Sequence, residues 1–311
     1  MAQRLKGRVA VVTGSGRGIG RGIAMLMASE GAAVVVNDLG AHLDGKGQDT
    51  SAADETVADI VAAGGQAVAN YDSVSDFRAA EGIIDTAVRQ FGRLDILVNN
   101  AGILRDRMIF NLSEQDFDDV VAVHLKGTFN CSRHAAVRMR EQKGGRIISM
   151  SSTSGLYGNT GQANYGAAKD GIAGLTRVIS RDLGRYGITV NAIAPAAATR
   201  MTATVGDAAR QARARAGVAS MGAEARALLP RAQRDAEDVA PMVTYLATDA
   251  AAGINGQIFV VMGGIISLVN YPAPVRTITK PTRWRPEEIA ALFPSTLGMD
   301  LFNPAPAQPD K

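Results

Sequence analysis

Residues Val9 to Val12 form an unbroken apolar run that ends in Thr13-Gly14-Ser15-Gly16-Arg17-Gly18-Ile19-Gly20, and a helical pattern follows as far as Glu30. A chain that begins this way is committed to strand, glycine turn and helix, which restricts the remainder to folds built on that unit. Glycines let the backbone approach a pyrophosphate closely, and the N–H groups at the helix start favour its charge. The spacing is Thr-Gly-x-x-x-Gly-x-Gly, not Gly-x-Gly-x-x-Gly, but it serves the same purpose. A plain strand-to-helix turn needs fewer glycines. Gly14, Ser15, Arg17, Gly18, Ile19 and Gly20 are therefore expected to hold a dinucleotide.

Ala33 to Val36 is the next apolar run, and it ends at Asn37-Asp38. A carboxylate at the end of the second strand is placed to accept hydrogen bonds from an adenosine ribose, which predicts NAD as the cofactor. The phosphate of NADP would meet Asp38 as a like charge, and no Arg or Lys stands immediately at the strand end to receive it.

The alternation then continues. A helix is expected over 51–63, a strand at Gln66–Asn70, a helix over 76–90, and strands at Leu94–Val98, Arg146–Ser151 and Ile188–Ala194, the last ended by Pro195. A helix over Val239–Thr248 and a final strand at Gln257–Val261, closed by Gly263-Gly264, complete the series. Strands alternating with helices through short connections predict an α/β fold, a Rossmann-type doubly wound parallel sheet. The expected organisation is a single domain over 1–270 with a Pro-rich C-terminal extension over 271–311. Asp72-Ser73 follows the third strand and Asn99-Asn100-Ala101-Gly102 the fourth. Both lie at carboxyl ends of strands, where an open sheet binds its ligand.

Ser152 stands at the exit of the strand that begins at Arg146. The helical stretch after it carries Tyr165 and Lys169, whose four-residue separation puts them on one face, roughly 5–6 Å apart at Cβ. A free phenol titrates near ~10, and an ammonium alongside lowers that value. Tyr165 is thus a candidate acid/base, Lys169 its partner, and Ser152 a hydrogen-bonding group for the same oxygen. Taken alone, a Tyr-x-x-x-Lys pair also fits a solvated helix face. His124, within a helix that Ser113 to Asp116 opens, reads by itself as a satisfied core or surface histidine.

Composition excludes several other classes. The chain of 311 residues is 46% hydrophobic, which supports a sizeable core. Its net charge of +3 is spread along the sequence, too mild for nucleic acid, though it suits an anionic small-molecule substrate. The single Cys131 has no partner for a disulfide or a Cys-based metal site, and a reducing compartment fits. No signal-peptide pattern or membrane-spanning stretch is found, so a cytoplasmic protein is expected. The Ala- and Arg-rich segment 199–231, with Arg200, Arg210, Arg213 and Arg215, reads either as a solvated helix face or as a substrate lid touching an anion. Residues 271–311 hold many prolines and one helical stretch near Glu287–Phe293, and are expected to pack on the body or on a partner subunit.

Thr13-Gly14 to Gly20, Asn99-Asn100-Ala101-Gly102, Ser152, Tyr165 and Lys169, in this order and spacing, resemble the short-chain dehydrogenase/reductase family over about residues 7–265. Within it, stretches such as Asn37-Asp38-Leu39-Gly40, Gly102 to Arg107 and Tyr157 to Tyr165 are similar to the branch of (3R)-hydroxyacyl-CoA dehydrogenase units. The resemblance implies NAD-linked oxidation of a 3-hydroxyacyl-CoA by a stand-alone dehydrogenase unit, with Ser152, Tyr165, Lys169 and His124 catalytic and with Tyr165 and Lys169 also contacting the cofactor. A 17β-hydroxysteroid dehydrogenase and a 3-oxoacyl carrier-protein reductase are the alternatives. A dinucleotide sensor without turnover would have no use for the proton-transfer set. The resemblance adds Pro195, Ala197 and Thr199 to the cofactor contacts and implies a homodimer or homotetramer through the helices around 113–140 and 164–185. Two positions depart from the family pattern. His124 stands where most members have asparagine on a proton path toward the lysine, and Pro195-Ala196 replaces the usual Pro-Gly.

Overall fold

The computed structural model describes residues 3–42, 47, 49–195, 235–301 and 304. They fall into two compact units, one running to Val269 and the other holding the residues from Asn270 onward. The first unit contains β1 (Val9–Thr13), α1 (Gly18–Ser29), β2 (Ala33–Asn37), α2 (Ser51–Ala62), β3 (Gln66–Asn70), α3 (Phe77–Phe91) and β4 (Ile96–Asn99). After these come α4 (Glu114–Val121), a wide π turn at Ala122–Lys126, α5 (Gly127–Gln142), β5 (Gly145–Met150), α6 (Thr153–Tyr157), α7 (Ala163–Leu183) and β6 (Ile188–Pro195). Further on lie α8 (Ala240–Leu246), β7 (Ile258–Met262) and β8 (Ile265–Leu268). The second unit holds α9 (Pro286–Leu292), which a Lys280–Glu288 ion pair and the Lys280 ammonium over the Trp284 ring support.

The sheet order is β3-β2-β1-β4-β5-β6-β7-β8, parallel from β3 through β7. The order reverses between β1 and β4, and that crevice at the strands' carboxyl ends is where an open α/β sheet takes a ligand. Helices cover both faces, so β1 is buried along its whole length and reads as a continuous apolar run. Its residues still alternate. Ala10 and Val12 pack with Ile23 and Met27 of α1, while Val9 and Val11 pack with Ile83 and Ile84 of α3. Helix ends follow local chemistry. Asp76 accepts from the Ala79 N–H at 2.7 Å to start α3, and Gly92 at φ 81° ends it. Ser113 caps α4 by accepting from Asp116 N at 3.1 Å.

One sequence expectation is corrected. The strand ending at Val261 is not the last. β8 turns back antiparallel, with Met262 opposite Ile265 across Gly263-Gly264, and Gly263 has φ 53°. Two apolar runs separated by Gly-Gly are a hairpin signal, since both loop positions favour positive φ.

At the opposite end of the sheet from the crevice, Asp95 is almost wholly buried and accepts from Val9 N at 2.9 Å and from Arg93 Nε and Nη2 at 2.8 and 2.7 Å. Arg8 lies 3.5 Å away and bridges to Asp249. Removing the carboxylate strands the buried Val9 N–H, while the Arg93 guanidinium, 50% exposed, turns to water. Asp95→Ala is expected to cost about 2 kcal/mol, and an unchanged midpoint in urea unfolding would count against this role for the network.

Candidate active site

The glycine turn is tied to the end of β4 by a reciprocal set of bonds. Thr13 Oγ1 accepts from the Asn100 and Ala101 N–H groups at 3.0 and 3.1 Å, and Asn100 Nδ2 donates to the carbonyls of Thr13 and Gly14 at 3.0 and 2.9 Å. Asn100 therefore spends its side chain on shaping the turn. The packing leaves no room at Gly20, where a Cβ would lie 2.2 Å from the Gly14 carbonyl oxygen. Ser15 is buried, donating to Val12 O at 2.7 Å, and Gly18 and Ile19 open α1. Asp38 accepts from Gly16 N and Gly40 N, each at 2.8 Å. Arg17 donates to Asp49 at 2.9 Å. The Asp72 carboxylate accepts from Asn70 Nδ2 at 2.9 Å, and the Ser73 and Ser75 hydroxyls bond at 2.9 Å.

α1 begins without an acceptor of its own. Arg17, at its N-cap, makes no side-chain cap bond, and no acidic residue lies in its first turn. The free N–H groups of that turn suit a pyrophosphate, so the residues present fit a dinucleotide.

Across the crevice stand the proton-transfer candidates. Ser152 caps α6, accepting from Ser154 N at 3.1 Å, and its hydroxyl lies near enough to the Tyr165 phenol to act on its pKa. Lys169, one turn along α7, is buried. Its Nζ donates to Met150 O at 2.6 Å and lies 5.5 Å from the centre of the Tyr165 ring. Burial pushes Tyr165 up to about 12, with the Ser152 hydroxyl working downward and the Asp106 charge upward, and burial pushes Lys169 down to about 7. The spacing alone predicts the opposite sign for the tyrosine, an ammonium lowering it. In this enclosed site desolvation is the larger effect on both groups.

His124 sits on the π turn and is buried, edge-on to Tyr165 with ring centres 5.1 Å apart. Burial first, then the Lys169 charge, push it down to about 3, so it is neutral at ordinary pH. Its Nε2 lies 2.7 Å from Ile103 O and 3.1 Å from Ile103 N, and its buried Nδ1 has no protein partner among the described residues. Gly102 permits this approach, because a Cβ there would stand 2.2 Å from His124 Cε1. The histidine thus steadies the backbone after β4.

Two residues near the tyrosine are not singled out by the sequence reading. Gln162, three residues before it, donates to Asp106 at 2.8 Å and accepts from Asn159 at 2.8 Å. Asn164 donates to the carbonyls of Arg105 and Asp116, both at 3.0 Å, joining α7 to the loop after β4 and to α4. Polar residues immediately before the tyrosine, at the start of a core helix, are the available signal. Pro195 ends β6 and is half-buried. Ala197, Thr199 and the segment 199–231 with its arginines lie outside the described residues. Among the described residues, no helix is long and apolar enough to cross a membrane, and no group of three or more His, Cys, Asp or Glu is placed to hold a metal.

A parallel sheet whose switch point carries a glycine turn is the architecture of a dinucleotide-dependent oxidoreductase. The chain belongs to the short chain dehydrogenase family, whose model matches residues 8–210. It is 51% identical over 207 residues to the peroxisomal hydratase-dehydrogenase-epimerase of Neurospora crassa, a match covering 66% of this chain and 23% of that protein. The chain thus spans about a quarter of that relative. It is also 42% identical over 296 residues to the hydroxyacyl-CoA dehydrogenase ChsB1 of Mycobacterium tuberculosis, covering 92% of this chain and 87% of the relative. A crystal structure of a short chain dehydrogenase from Mycobacterium avium superposes with a TM-score of 0.79 at 44% identity, covering 94% of this chain and 95% of the other.

Proposed function

We propose that the chain is an NAD-dependent dehydrogenase that converts a (3R)-3-hydroxyacyl-CoA to the 3-oxoacyl-CoA. The observation that carries this reading is the convergence of Ser152, Tyr165 and Lys169, the lysine one helical turn along α7 and 5.5 Å from the tyrosine ring, across the crevice from the glycine turn. NAD, when bound, supplies the hydride acceptor. Ser152 orients the substrate oxygen, Tyr165 takes its proton, and Lys169 holds a mobile proton close to neutral pH behind the tyrosine. Asp38 receives the adenosine ribose hydroxyls and repels a phosphate there. The name of the Mycobacterium tuberculosis relative supports an acyl-CoA substrate.

The test is a panel of initial rates with NAD⁺ and NADP⁺ on (3R)- and (3S)-hydroxyacyl-CoA and on a 17β-hydroxysteroid. Oxidation of the (3R) thioester with NAD⁺ is the expected result. Turnover of the steroid alone overturns the substrate, and a preference for NADP⁺ overturns the cofactor.

A second reading has its own support. Tyr165 is a protonated phenol at neutral pH, the form needed to reduce a 3-oxoacyl group carried by CoA or acyl carrier protein. The two directions separate on pH. Oxidation needs the phenolate, whose share grows as pH rises toward the tyrosine's value, so its rate should climb about tenfold per unit between about pH 6 and 9. Reduction needs the phenol and should stay level over that range. An oxidation rate independent of pH would remove Tyr165 as the base.

Two expectations extend the proposal. Phe117, Phe129 and Val178, exposed on α4, α5 and α7, support a homodimer or homotetramer through those helices. The cytoplasmic setting rests on the sequence expectation alone, and the Neurospora crassa relative is named peroxisomal; Cys131, buried with its thiol pushed up to about 12 by burial, is unreactive in either.

A further inference from the structure

The residues flanking the adenosine-ribose carboxylate include a second acid. Asp49 lies just before α2, and α2 is fastened to the glycine turn. Thr56 Oγ1 donates to Gly16 O at 3.0 Å, and a Cβ at Gly16 would meet the Ala52 Cβ at 2.8 Å. Asp49 N donates to Gly40 O at 3.0 Å, two residues beyond Asp38. The carboxylate is divided between two tasks. Oδ1 accepts from Ser51 N at 3.1 Å and Ser51 Oγ at 2.5 Å, which turns Oδ2 toward Arg17 Nη2 at 2.9 Å. The Ser51 bonds first, and Arg17 after them, hold the Asp49 carboxyl below the usual range, so it stays charged.

Arg17 directly follows Gly16, whose N–H bonds Asp38. It is a cation beside the ribose site, a feature the strand end alone does not reveal. Arg21, one turn further along α1, is paired as well, with Asp59 at 2.6 Å. NADP differs from NAD by a phosphate on that ribose, and a nearby arginine is the group that accommodates it. Guanidinium binds phosphate through forked hydrogen bonds, which a carboxylate partner competes for.

We propose that Asp49 is a specificity-determining residue for the dinucleotide, engaging Arg17 so that its guanidinium does not serve a ribose phosphate. Discrimination against NADP then rests on two carboxylates with different tasks. Asp38 repels the phosphate, and Asp49 occupies the cation that would otherwise attract it. The inference deepens the cofactor reading above and rests on it. Arg17 and Asp49 side chains are 38% and 48% exposed, so solvent and salt screen the pair and its effect is a few-fold.

The experiment is a cycle of four proteins, the parent, Asp49→Asn, Arg17→Gln and the double variant, with NAD and NADP affinities measured by calorimetry at low salt. The Asp49→Asn side chain keeps an oxygen for Ser51 and removes the charge that engages Arg17. The expected result is NADP binding tightened about fivefold by Asp49→Asn, with NAD changed less than about twofold. The gain should vanish in the Arg17→Gln background. An equal gain in that background would mean that Asp49 acts by its own repulsion, and no gain at all would mean that it does not discriminate. Either result overturns the proposal. A parent that favours NADP would overturn the NAD reading, while the role of Asp49 is still judged by whether its effect needs Arg17. Failure of all four proteins to bind either dinucleotide overturns both.

Discussion

Tyr165→Phe is expected to lose roughly a thousandfold or more in turnover and to bind dinucleotide as the parent does. The substitution deletes one oxygen. That oxygen lies beside the Ser152 hydroxyl, and the ring it leaves behind still packs edge-on to His124 and beneath the Lys169 ammonium. The fold around the site is held by other atoms. Tyr165 N bonds Asn164 Oδ1 at 2.8 Å, and Asn164 anchors the helix start. Folding and binding should therefore survive while proton transfer fails. Calorimetry of NAD binding beside steady-state rates separates the two. Lys169→Ala should damage both, since it empties a buried position bonded to β5 as well as removing the cation. Substantial activity in Tyr165→Phe would exclude the assignment and turn attention to Tyr157, which is exposed at the end of α6.

Gly20→Ala should weaken dinucleotide binding by about a hundredfold. The added methyl would stand 2.2 Å from Gly14 O, 2.6 Å from Asn100 Nδ2 and 2.8 Å from Ser15 Cα. Two of those three atoms are backbone of the turn itself, so relief comes only from moving the turn. The turn cannot shift alone, because Asn100 and Thr13 bind it to β4. A displacement of several tenths of an ångström there alters every N–H aimed at a bound pyrophosphate, and misplaced groups cost binding steeply. Gly253→Ala is the control, since a Cβ there meets nothing within 4 Å. Thermal melts with and without NAD should show the ligand-induced shift retained in the control and lost in Gly20→Ala. A full shift in the latter would refute the close-packed reading of this turn.

The parallel part of the fold is legible because its physics is local. A strand covered on both faces must be apolar throughout, and β1, β2 and β4 are, so each run announces a strand and each glycine or polar end announces its exit. Ser152, Tyr165 and Lys169 are legible as a group through strand exit and helical spacing. What escapes depends on distance or enclosure. The Arg17–Asp49 pair joins residues separated by a whole helix, strand and loop. The direction of the Tyr165 shift depends on how much water the folded site excludes, which spacing along a helix does not report. β8 escapes for another reason, because Gly263-Gly264 reads equally as the end of a strand and as its reversal.

The wide turn at Ala122–Lys126 inserts a residue's worth of arc into what would otherwise be one helix from Glu114 to Gln142. The two halves are thereby out of phase. The first, α4, meets α7 beside the tyrosine, and the second, α5, meets α3 on the far side of the core. A regular helix has a single phase and serves one such partner well at the expense of the other. Winding the same residues as one regular helix, with none removed, would rotate everything behind Lys126 by about 100°. Cys131, Ala135 and Met139 would turn from the core toward water, whereas removing one residue of the wide turn would close it and leave α5 in place. The irregularity works as a phase adjuster, and deletion of one of its residues should spare the packing of α5, whereas the same deletion inside α5, at Arg133, should turn Ala135 and Met139 out of the core.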